Sequence, residues 1–159
     1  MRALATLLLA AAAVACSGVA NLDGDFTNPP QPTTISGAFR LSGNTTYVRD
    51  ASPRLQFAVT VMNPGTTPST VTYGGCWLYL RLYSTADRGG TPAYDQSKHP
   101  AACSALQQSL VVPPGDSVVI VQDFISPATL APAGHYFASL LVAPNGVATS
   151  IASGDVTFP

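Results

Sequence analysis

The side chains best equipped for covalent or acid–base chemistry are three cysteines, Cys16, Cys76 and Cys103, and two histidines, His99 and His135. A catalytic centre needs a nucleophile beside a base, or a cluster of ligands at metal spacing. His135 follows Gly134 at the start of an expected strand, where a sheet-surface role is expected. His99 stands between Lys98 and Pro100 in a long irregular segment and reads as solvated. The sequence contains no Glu and only dispersed Asp residues, so paired carboxylates for glycoside or zinc chemistry are poorly supplied. Nor does it contain a Cys-x-x-Cys or Gly-x-Ser-x-Gly pattern. Asp87, Asp95 and Asp123 could meet around calcium, but their spacing follows no calcium-loop pattern. Asn44-Thr45-Thr46 matches a glycosylation acceptor. No cofactor, no metal and no enzymatic activity are expected.

The cysteines point instead to compartment and architecture. Arg2 is followed by an apolar run over 4–15 and then by small residues, the layout of an export signal too short to span a bilayer. Ala13-Val14-Ala15-Cys16 resembles a bacterial lipobox, which would remove 1–15 and place a lipid anchor on Cys16. Gly18-Val19-Ala20 offers an ordinary cleavage site that would remove 1–20 with Cys16. The anchor is the preferred reading, and under either one Cys76 and Cys103 remain as a pair, so a disulfide is expected, with two buried thiols as the alternative. It would close a loop of about 27 residues and stabilise by roughly 3–4 kcal/mol. Ser17 after Cys16 is not Asp, so by resemblance to lipoprotein sorting the destination is the outer membrane, otherwise periplasmic or secreted. Given the export layout, glycosylation at Asn44 is not expected.

The elements that must hold these residues read as strands. Residues 16–33, with Asn28-Pro29-Pro30-Gln31-Pro32 near their end, form a tether, and 34–159 make one domain. Thr, Ser, Gly, Pro and Val abound, and short apolar runs alternate with turn residues at about ten-residue spacing, as in sandwiches. Strands are expected at 35–41, 55–62, 70–73, 77–84, 110–112, 117–123, 135–143 and 151–158. Leu55, Phe57, Val59 and Val61 share one face, as do Leu78, Leu80 and Leu82. Trp77, Tyr79, Arg81 and Tyr83 form the opposite face, read as sheet surface or as a recognition surface. In 117–123 both faces are apolar, which suggests a strand covered on both sides. The segment 84–109 breaks the pattern and carries Cys103, so it is the candidate binding loop. A net charge of −1 offers no electrostatic footprint for nucleic acid.

The order of the 55–65, 71–84, 91–97, 111–124 and 132–142 segments and a closing Gly-Asp-Val-Thr-Phe resembles the BsuPI-type intracellular proteinase inhibitor domain over about 54–158. The motifs are a strand ending in Asn, a Pro-Gly turn into a strand and a Gly-x-Tyr strand, each short and common, and their shared order carries the likeness. Tyr94 stands where that family tends to have Trp. The resemblance implies an immunoglobulin-like antiparallel β-sandwich of about seven to eight strands, and inhibition of serine proteases. It carries no reactive-site residue onto this chain. The expected function is therefore non-enzymatic binding in the cell envelope, with a serine protease or another envelope protein as partner. Trp77, Tyr79, Tyr83, Tyr94 and Asp95 are the candidate contact residues. The alternative is a structural lipoprotein that docks an envelope protein or surface polymer through an edge strand or the Trp77/Tyr79 face. A further possibility is carbohydrate stacking on Tyr79, Tyr83 and Tyr94.

Overall fold

The computed structural model describes residues 32–51, 53–99, 106–123 and 131–159, so the export segment, Cys16, most of the tether and Cys103 lie outside it. The described residues form ten strands and no α-helix: β1 (Thr34–Ser36), β2 (Phe39–Val48), β3 (Arg54–Met62), β4 (Ser69–Gly74), β5 (Leu78–Tyr83), β6 (Tyr94–Asp95), β7 (Gln107–Val112), β8 (Ser117–Asp123), β9 (Gly134–Val142) and β10 (Thr149–Phe158). One sheet runs β1-β2-β3-β8 and faces a second running β10-β9-β5-β6, while β4 and β7 form a two-stranded ribbon. Every pairing is antiparallel. The described residues form an antiparallel all-β sandwich with ten strands rather than the expected seven or eight.

Period-2 alternation explains the core. Leu55, Phe57, Val59 and Val61 of β3 are each fully buried and meet Leu78, Leu80 and Leu82 of β5, Leu140 and Val142 of β9, and Ile151 of β10. The extra strands have local causes. Residues expected as one strand at 35–41 split into β1 and β2 around Gly37, whose φ of 59° makes a tight hairpin without Cβ strain. β2 then runs on through the polar Ser42-Gly43-Asn44-Thr45-Thr46, beyond the expected end at 41, and every residue to Val48 pairs with β3. Side chains at the β2/β10 corner are small: Thr45 Oγ1 donates to Ser153 Oγ at 2.8 Å, and Thr149 Oγ1 to Ser36 Oγ at 2.8 Å. The two sheets therefore close on each other at that corner.

Just past the end of β3, Asn63 joins two connections. Its Nδ2 donates to the Thr67 carbonyl at 2.8 Å and the Val112 carbonyl at 2.9 Å, and its Oδ1 accepts from the Gly65 amide at 3.0 Å. Its backbone amide donates to the Asp116 carbonyl, and its carbonyl accepts from the Gly115 amide. One buried side chain thus ties the β3–β4 connection to the β7–β8 connection, where Pro113-Pro114-Gly115-Asp116 redirects the chain from the ribbon into the first sheet.

Candidate interaction site at the open edge strand

The segment expected to be an irregular binding loop is largely tied down where it is described. Tyr94 and Asp95 pair with Leu82 and Arg81 as β6, and a 3-10 turn follows over Gln96–Lys98. Gln96 is buried, and its Oε1 accepts from the Leu80 amide at 2.8 Å, continuing the edge of β5 with a side chain. Asp95 accepts from the amide and hydroxyl of Ser97 and pairs with Arg81 at 3.2 Å. Burial by itself would raise the Asp95 carboxyl, but the Ser97 and Arg81 bonds outweigh it and hold the group below the usual carboxylate range. Burial, with the Asp95 charge beside it, pushes the Tyr94 phenol up.

A depressed carboxyl contributes stability that is present above the unfolded value, about pH 4, and is lost as pH falls through the lower folded value. Asp95→Asn should accordingly flatten the acid limb of a plot of urea midpoint against pH. An acid limb identical to the unsubstituted protein's would show that Asp95 carries none of it.

Upstream, Arg88 sits at φ 53° and reaches across the second sheet. Its Nε donates to the Ala138 carbonyl at 2.9 Å and an Nη to the Gly154 carbonyl at 3.1 Å. The β9–β10 register shifts between Ala152 and Asp155, so this guanidinium satisfies carbonyls at an irregularity in the ladder. Burial lowers its pKa, and Asp155 and Tyr83 oppose that.

The candidate aromatic surface does not assemble. Trp77 precedes β5, is 5 % exposed, and packs in the core against Tyr73 with ring centroids 5.2 Å apart. The reading of Trp77 as part of an outer face is corrected: its side chain completes the core beneath the ribbon. Tyr79 is half-buried and Tyr83 is buried. Tyr94 is paired opposite Leu82, so its ring turns to the core face, where it packs against the core and stacks on His99 at 5.4 Å. Tyr79, Tyr83 and Tyr94 therefore do not form one platform for a sugar. Cys76 is disulfide-bonded, and its expected partner Cys103 lies outside the described residues. Asp87 is exposed and accepts from Thr85 and the Gly89 amide, its carboxyl lowered chiefly by the Thr85 hydroxyl. It belongs to a turn, and no cluster of His, Cys, Asp or Glu able to hold a metal occurs among the described residues.

His135 has partners on both ring nitrogens, Thr157 Oγ1 at 3.0 Å and Asp155 at 3.2 Å. Hydroxyl, imidazole and carboxylate stand in the order of a hydrolytic triad. They sit on an exposed strand pair, with His135 48 % and Asp155 44 % exposed, so water competes for every bond. This is a sheet-surface histidine.

The outer face of β8 is the feature best suited to binding. Val118 and Ile120 point inward beside Val61 and Val59, but Val119 and Val121 are 55 % and 38 % exposed. The expectation that this strand is covered on both sides is corrected: apolar composition on a face does not require that the face be buried. β8 pairs with β3 through seven consecutive positions, and no described strand pairs on its other side. Beyond that edge lies a cleft of about 260 Å³, walled by Tyr73, Trp77, Leu106 and Gln108 on the ribbon side and by Ile120 and Gln122 on the β8 side.

Of the other described edges, β7 is open on the side away from β4 and exposed over most of its length, while the rest are protected. β1 and β6 have three and two residues, β10 packs on β2 and carries the irregularity, and β4 is capped by Asn145. The Asn145 Oδ1 accepts from the Thr72 amide at 2.7 Å and its Nδ2 donates to the Thr70 carbonyl at 3.3 Å, so an amide side chain stands in for a strand. Only the Asn-Gly turn signal at 145–146 was visible beforehand, and turn chemistry does not announce an edge cap. Comparison with known proteins returned no matching family and no matching curated protein.

Proposed function

We propose that the chain is a non-enzymatic binding module of the cell envelope that docks a partner by adding a strand to β8. The observation that carries this is the long β8 edge with its exposed valine face, which among the described residues bears none of the devices that blunt β1, β4, β6 and β10. Strand addition takes affinity from backbone hydrogen bonds and selectivity from alternate side chains, and the cleft beside Gln108 and Gln122 offers room and amides for the second. An export segment and a lipid anchor at Cys16 would place this edge outside the cytoplasm. The rival reading, inhibition of a serine protease by the 84–108 segment, is less favoured because Tyr94, Asp95 and Gln96 near its middle are bound to the edge of β5.

The test pairs two measurements on the same protein. A synthetic peptide alternating Thr and Val should slow amide hydrogen exchange at 117–122, and Val119→Lys should weaken that protection at least tenfold while leaving the core amides unchanged. Titration against subtilisin-type and trypsin-type proteases should give no stoichiometric inhibition. Stoichiometric inhibition with the chain intact, and no protection of β8, would overturn the docking reading in favour of the inhibitor.

A further inference from the structure

We infer that the cleft between the ribbon and β8 is a binding site for one N-acetylated sugar ring. The inference stands apart from strand docking, because it uses side chains inside the cleft and none of the backbone groups of the β8 edge. It begins from two amides that face inward. Strand period puts Gln122 on the core-facing side of β8 with Val118 and Ile120, and Gln108 on the core-facing side of β7 with Leu110 and Val112. The two wall the cleft of about 260 Å³ from opposite sides, with Trp77, Leu106 and Ile120 as its apolar part. Polar side chains turned toward a core need partners. Gln108 Oε1 accepts from the Tyr73 hydroxyl at 2.7 Å, which leaves its amide N–H groups to donate elsewhere. The Gln122 amide makes no hydrogen bond among the described residues, so it keeps both donor and acceptor capacity.

An acetamido group answers this arrangement. Its amide is trans, so the N–H and C=O point in opposite directions, one toward each wall. Gln122 Oε1 can accept from the N–H while Gln108 Nε2 donates to the C=O, and the acetyl methyl then has Ile120 and Trp77 to cover. The rest of the ligand follows from what the walls exclude. No charged residue lines the cleft among those described, so an ionised ligand would give up water for nothing. The Tyr73 and Trp77 rings are tilted by 55°, so they cannot clamp a flat aromatic base between parallel faces. A puckered ring with C–H groups on one face and hydroxyls at its rim suits one aromatic wall and two amides. The volume lies below the roughly 300–1,000 Å³ of drug-sized sites, which leaves room for a single ring. A peptide's Asn or Gln brings a primary amide without the methyl and leaves the apolar wall uncovered.

Trp77, the only tryptophan in the chain, reports on the cleft by its fluorescence. With the Cys76 disulfide intact, titration with the methyl glycoside of N-acetylglucosamine should change the Trp77 emission saturably, with half the effect at about 1–10 mM, as expected for one ring and two neutral hydrogen bonds. Methyl glucoside, which lacks the acetamido group, should bind about tenfold more weakly, and the N-acetylated sugar should lose about as much on Gln122→Leu. Gln122→Leu extends the apolar side of β8 and Gln108→Leu changes an exposed side chain, so both should keep the urea midpoint while weakening the sugar. Equal binding of the two sugars, or binding undiminished in both variants, would overturn acetamido recognition. A linear or absent response to either sugar would overturn the site itself, whereas strand docking stands or falls separately on the protection of β8 by the Thr/Val peptide. Tighter binding of N-acetylglutamine amide than of the sugar would overturn the saccharide in favour of a peptide.

Discussion

Asn63→Ala should lower the free energy of unfolding by about 3 kcal/mol, among the larger single-residue effects in this fold. The side chain is 1 % exposed and makes three hydrogen bonds, two as donor and one as acceptor. Truncation removes all three and leaves the Val112 carbonyl, beside a fully buried side chain, without its donor. Leaving a buried acceptor unmade costs more than the net value of a hydrogen bond, because the unfolded chain gives that carbonyl to water. Asn63→Asp sharpens the test. The shape is kept, but at neutral pH a carboxylate presents only acceptors to the Thr67 and Val112 carbonyls, so this variant should be at least as destabilised as the alanine variant. Urea unfolding at pH 7 measures both, and a loss below about 1 kcal/mol for either would show that the corner does not depend on this amide. Because the same corner sets where β7 parts from β8, Asn63→Ala should also weaken strand docking under conditions in which the protein remains folded.

The legible parts of this fold are those in which one strand's period decides the outcome. β3 and the leucine face of β5 could be read directly, since a buried face on a twisted sheet demands alternation and each run supplies it. β6 could not: two residues carry no period, and the strand exists because Arg81 and Leu80 hold Asp95 and Gln96 from 14 and 16 residues away. Arg88 is similar, for its value lies in carbonyls 50 and 66 residues away that only the assembled second sheet brings together. Trp77 and β8 failed in opposite directions. Trp77, expected on the outer face of a strand over 77–84, is core, while the outer face of β8, expected to be covered, is exposed. Burial depends on which layer covers a face, and local pattern says nothing of the layer. The docking edge was visible as a run of β-branched residues, but its openness is a property of sheet order.

Gly43→Val should be the second large effect, costing about 3 kcal/mol, whereas Gly43→Ala should stay within about 1 kcal/mol of the unsubstituted protein. Gly43 lies mid-strand on β2 opposite Val59, at the corner where the sheets close. A Cβ there would stand 3.0 Å from Ile151 Cδ1 and 3.1 Å from Ser153 Cβ. The first contact is the end of a side chain and can move by a few tenths of an ångström; the second is fixed to the β10 backbone. For alanine, the smaller entropy of its unfolded chain offsets much of that compression. Valine adds two methyl groups with nowhere to go. Accommodating them requires β10 to retreat from β2, which separates Thr45 Oγ1 from Ser153 Oγ and loosens Ile151, itself 1 % exposed. Thermal unfolding of the two variants discriminates the cause. A small change for alanine with a fall of about 10 °C for valine identifies a steric wedge between the sheets, because a simple requirement for glycine's backbone would penalise both alike. A valine variant as stable as the alanine variant would mean that this corner is not closed by the absence of a side chain at Gly43.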